Sequence, residues 1–157
     1  MRPLAGLALA ALLAGPGLVH PGLAGDASGF DPAAIDRCLA RAETQGARAD
    51  CAGTGMQSCL DYARRQYTGE DAGFPMANCL DASHQAWEAK LTSLYRAMLD
   101  RSDPQEPLRR MERSWIAFRQ ALCDRAGERG DETARALCLR DETARQAALL
   151  MSLAAPQ

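Results

Sequence analysis

Between Leu80 and Met98 the chain sets Leu80, His84, Trp87, Leu91, Leu94 and Met98 at successive steps of four, three, four, three and four. That rhythm gathers side chains along one side of a helix and is incompatible with a strand, whose faces alternate every second residue. Tyr95 and Leu99 widen the stripe, and Asn78, with Asp81 three places on, reads as its N-cap, so the spacing predicts a helix over 78–101. A second line runs Leu108, Met111, Trp115, Phe118 and Leu122, closed by Gly127. Two stripes of this length must be buried against each other or against further helices. Nothing in the chain shows the period-two alternation and β-branched enrichment of a strand. The fold class that follows is all-α, a small disulfide-stapled helical bundle of four to five helices.

The remaining helices are less strongly marked. Asp31-Pro32 supplies a cap and a first-turn proline, and Ile35, Cys38, Leu39 and Ala42 follow at helical spacing, which predicts a helix over 32–44 ended by Gly46. Met56, Leu60, Ala63 and Tyr67 predict another over 56–67, and the glycines and proline of 68–75 read as a loop. A last helix is expected over 132–153, rich in strong helix formers. The segment Asp-Glu-Thr-Ala-Arg at 131–135 recurs at 141–145. Ten residues leave a helix about 80° short of three turns, so the copies belong on different faces and do not make a solenoid.

Residues 1–24 read as a cleaved signal peptide. Arg2 gives a short positive region, residues 4–13 are an unbroken run of Leu, Ala and Gly, and Gly22-Leu23-Ala24 ends in small residues where a peptidase cuts. A run of ten falls well short of the ~20 residues that span a bilayer, so it is a leader and no stable membrane anchor is expected after cleavage. Residues 25–157 then form one domain with a net charge of −3 and one histidine, His84. Periplasmic or secreted localisation follows.

Six cysteines in such a chain, Cys38, Cys51, Cys59, Cys79, Cys123 and Cys138, read as three disulfides. No CxxC pair suggests zinc or redox chemistry. Six cysteines admit fifteen pairings, and spacing alone does not choose among them. If the last two helices fold back as a hairpin, Cys123 meets Cys138. Cys59 with Cys79 would pin the second helix to the Trp87 helix, which leaves Cys38 for Cys51.

The mild acidity and the lack of a basic run argue against nucleic-acid binding. His84 could share a helix face with Asp81 and Glu88 as metal ligands, but it lies on the apolar stripe, so a histidine packed against a neighbouring helix is the better reading; no metal and no cofactor are expected. Trp87, Leu91, Tyr95, Trp115 and Phe118 read as core anchors of two facing helices and not as a stacking surface for a ligand. There is no Gly-rich phosphate loop, GxSxG or HExxH, and no catalytic residue is nominated: the chain reads as a non-enzyme. The most polar stretch, 124–132, joins two helices around Gly127 and Gly130 and reads as a solvated hairpin loop or a tethered recognition loop.

Taken in order, Asn78-Cys79, Trp87-Glu88-x-x-Leu91-Thr92-x-x-Tyr95, Leu108, Glu112-x-x-Trp115-Ile116-x-Phe118-Arg119, Cys123, a glycine-containing loop, Cys138 and Thr143-Ala144-Arg145 resemble the N-terminal domain of the LprI-type lysozyme inhibitors. The resemblance covers about 78–150, and Cys38-Leu39 with Cys51-x-Gly53 and Cys59 looks like an extension found in one branch. The family usually has Trp-Asp and Leu-Asn where Trp87-Glu88 and Leu91-Thr92 stand, and Arg-Asp where Arg119-Gln120 stands. The resemblance implies an exported helical protein whose partner is a protein, with lysozyme or another cell-wall hydrolase as the target. An acidic loop would then meet a basic enzyme, which nominates Asp124, Glu128, Asp131 and Glu132 as partner-binding residues. The alternative is a structural or assembly module of the cell envelope that binds a resident protein.

Overall fold

A computed structural model describes residues 29–128 and 130–154; the leader read over 1–24 lies outside them. Every regular element among the described residues is helical: α1 (Ala33–Leu39), α2 (Gln45–Ala49), α3 (Met56–Gln66), α4 (Phe74–Leu99), α5 (Glu106–Ala126) and α6 (Glu132–Ala154), with a 3-10 turn, Asp50–Gly53, after α2. The all-α expectation holds.

The helices pack around α6. Its longest interface is with α4, while α5 and α2 lie on other sides of it and α3 rests on α4. Ala144, Ala147 and Ala148 of α6 are fully buried. Side chains this small let neighbouring helices come close, and Trp87, Leu91, Ile35, Leu39 and Leu150 fill the space around them. The Trp87 indole N–H donates to the Ala52 carbonyl at 3.2 Å, which ties α4 to the 3-10 turn. Lys90 of α4 pairs with Asp36 of α1. The repeated pentapeptide behaves as its 80° offset requires, with Thr133 exposed and Thr143 fully buried.

Three disulfides join Cys38 to Cys51, Cys59 to Cys79 and Cys123 to Cys138. These are the pairs favoured by helix position above. They bridge α1 to the 3-10 turn, α3 to α4, and α5 to α6.

Several boundaries differ from expectation. The first helix stops at Leu39, and Gly46 lies inside α2 instead of ending α1. Thr44 is the reason: its hydroxyl accepts from the Ala47 N–H at 3.1 Å and starts a new helix, where a first-turn glycine is tolerable. Helix α4 begins a turn before Asn78, with Pro75 in its first turn and Phe74 stacked on Tyr67 at 4.6 Å. The segment taken as loop therefore ends in helix, since proline suits a first turn as well as a turn of loop. Gly55 opens α3 at φ 87°, and a Cβ there would come within 3.0 Å of the Phe30 ring, so the position calls for glycine.

Phe118 is the clearest correction. It was expected in the core and is 56% exposed. Trp87 and Leu91 are buried, while Tyr95 and Trp115 are half-buried and packed against the core. On α5 the inward line continues from Trp115 by steps of four, through Arg119 to Cys123, and not by three to Phe118. The Cys123–Cys138 bond fixes that face towards α6, and the polar contacts of Arg119 hold it there.

Candidate partner-binding surface

The four nominated acids sit at the α5–α6 turn, and their surroundings sort them. Asp124, on the last turn of α5, accepts from Gln120 at 2.8 Å and from Arg135 of α6 at 3.0 Å. Those two donors hold its carboxyl below the usual carboxylate range. Asp131 caps α6, its Oδ1 accepting from the Ala134 N–H at 2.8 Å. Among the described residues Glu128 makes only a loose 3.8 Å contact, with Arg125. Glu132 is exposed in the first turn of α6, where the helix dipole favours a negative charge. Asp124 and Asp131 thus hold the hairpin, and Glu128 and Glu132 are the acids with capacity for a partner.

Farther along the same helices lies a polar cluster that the apolar pattern did not reveal. Arg119 of α5, with only 15% of its side chain exposed, pairs with Glu88 of α4. Its Nη1 also donates to Thr143 Oγ1 of α6 at 2.8 Å, and the guanidinium stacks on Trp115, 4.6 Å from the ring centroid. One cation so connects all three long helices. His84 Nε2 lies 3.3 Å from Glu88 Oε1. His84 and Arg119, acting against partial burial, hold the Glu88 carboxyl at about 2. One turn away, the buried Glu112 accepts from Gln146 of α6 at 3.0 Å. Burial pushes its carboxyl up, against the pull of Gln146 and Arg119. Spacing that counts only apolar residues misses this group; the signal available was the Glu88, Arg119 and Thr143 positions inside the motif quoted above.

The cluster makes stability depend on acid in two opposed ways. Glu88 sits below its ordinary value, so its contribution is complete above about 4.5 and lost as pH falls towards 2. The side chain is 37% exposed, and solvent screening limits that contribution to about 1 kcal/mol. Glu112 is raised, so the unstrained state is the protonated one and the penalty appears as pH rises through its folded-state value. Glu112→Gln keeps an acceptor for Gln146 and removes the charge. It should stabilise the protein by about 1 kcal/mol at pH 7 and leave it unchanged near pH 3, as read by urea unfolding at both pH values. Equal effects at the two pH values would show that the charge is not the cause.

Among the described residues, no group of three His, Cys, Asp or Glu side chains is placed to hold a metal ion, and no helix is long and apolar enough to cross a membrane. Residues 36–150 match the family model described as "Lysozyme inhibitor LprI". The chain belongs to the LprI family. The match begins within α1 and ends within α6, so it takes in the upstream Cys38–Cys51 segment as well as helices α4 and α5 and most of α6. No curated protein and no solved structure gave a significant match. The family's description is of an inhibitor, a role performed by binding and not by turnover. The disulfides of this LprI protein fit an oxidising compartment outside the cytoplasm.

Proposed function

We propose that this LprI-family protein is exported through the leader at 1–24 and blocks a lysozyme by binding it, with no reaction of its own. The match over 36–150 carries this reading. The net charge of −3 over 25–157 supports it, because a basic hydrolase is steered towards an acidic partner at low salt. The α5–α6 turn is the proposed contact, with Asp124, Glu128, Asp131 and Glu132 around it. A disulfide at its base and the cap at Asp131 limit what ordering on binding would cost.

The purified, oxidised protein should slow lysozyme-driven clearing of a cell-wall suspension. No slowing at large molar excess would discard the inhibitor reading. Glu128→Lys should weaken inhibition about tenfold at low salt and less at high salt, as expected for a rim charge. Asp131→Asn, which keeps the cap acceptor, separates the charge of that residue from its role in the helix.

A further inference from the structure

A cavity of about 290 Å³ opens between the first turns of α4 and the first turns of α6. Leu80, Ala136 and Leu139 form its apolar wall, and Asp81 and Glu132, both exposed, stand on it. That volume lies just below the range of small-molecule sites and suits a single long side chain. Among the described residues the two carboxylates have no cation. Asp81 accepts only from the neutral amide of Gln85, at 2.8 Å, and Glu132 makes no ion pair with any described residue. Among the described residues the one guanidinium on the cavity, Arg135, is already held by Asp124 at 3.0 Å. The positive end of α6 amounts to roughly half a charge, against two whole negative ones. His84 also lines the cavity, but its Nε2 is sealed from solvent and turned to Glu88 at 3.3 Å, so it offers the cavity no free polar atom.

We propose that this cavity receives one arginine or lysine side chain of a protein partner, its aliphatic stem against Leu80, Ala136 and Leu139 and its cation between Asp81 and Glu132. The stem and head of a basic side chain have the two polarities that the cavity has, apolar within and anionic at the mouth. The inference rests on the partner-binding reading and narrows it: Glu132 belongs to the pocket, while Glu128 would be a contact outside it.

The test titrates the oxidised protein with N-acetyl-arginine amide and, separately, with the uncharged N-acetyl-citrulline amide, following backbone amides by NMR. The arginine compound should give saturating shifts at Ala77, Ala136 and Leu139, and the citrulline compound should not. Asp81→Asn with Glu132→Gln should weaken that binding at least tenfold, and Ala136→Trp, which fills the cavity without touching its charge, should abolish it. No saturating shift at these residues, an equal response to citrulline, or undiminished binding by either variant overturns the proposal. The lysozyme arm is separate. If wild type and Ala136→Trp bind lysozyme equally, the pocket is not the contact and the proposal falls while the inhibitor reading stands. If wild type binds no lysozyme, the inhibitor reading falls and the arginine titration alone decides the pocket.

Discussion

Trp87→Ala is expected to cost about 3–5 kcal/mol, the range for removing a large aromatic side chain from a packed interior. Trp87 is fully buried in the core with Leu91 and Leu150 around it, so little can relax into the space left behind. Its N–H is also the link to the Ala52 carbonyl at 3.2 Å, and the substitution leaves that carbonyl without its donor. A domain of this size has only about 5–15 kcal/mol to lose. The midpoint of thermal unfolding should therefore fall by roughly 10–20 °C with all three disulfides intact. Trp87→Phe keeps much of the volume and loses the hydrogen bond, so it should sit between the two. A fall of only a few degrees for Trp87→Ala would mean that the α4–α6 contact is not the centre of the fold.

The second large effect is expected from Cys123→Ser with Cys138→Ser, and it should be local. Helix α5 buries only Glu112 and Cys123. It is held to α6 by the disulfide, by the Glu112–Gln146 hydrogen bond and by the Arg119 contacts, with Met111 and Trp115 packed at the edge of the core. Opening a loop of 15 residues removes about 3 kcal/mol in the chain-entropy account. Amide hydrogen exchange in α5 should accelerate by about a hundredfold, while α4 and α6, joined by the larger interface, keep their protection. Lysozyme inhibition should fall with α5 order if the α5–α6 turn is the contact. Equal loss of protection in all three helices would show that α5 unfolds only with the core.

These two expectations also show which parts of the molecule its sequence makes legible. Helix α4 was evident because its stripe is continuous and its most deeply buried members, Trp87 and Leu91, are large and apolar. Helix α2 was hidden by Gly46, which stops a helix at one end and is tolerated at the other; only the Thr44 cap distinguishes the cases. Phe118 misled because apolar spacing assumes that apolar residues choose the face. On α5 a disulfide and a largely covered guanidinium, that of Arg119, choose it, and Phe118 is left in solvent. The polar cluster shares this cause: Glu88 sits one residue off the Trp87 line and Arg119 one off the Phe118 line, so an apolar stripe passes over both. The nominated acids do gather at one turn, but their division into those that hold the hairpin and those left unoccupied depends on Arg135 and the Ala134 N–H, which no spacing rule supplies.

The order of the sulfur bridges has a consequence for how the chain matures. Each cysteine is joined to the next one along the sequence, first to second, third to fourth and fifth to sixth. A chain delivered N-terminus first into an oxidising space presents its thiols in that same order, so linking each newcomer to its waiting predecessor yields the native set without reshuffling. Helix α6, on which most of the others rest, comes last among the described helices. Oxidation can thus be two-thirds complete before the scaffold that will organise the bundle has emerged.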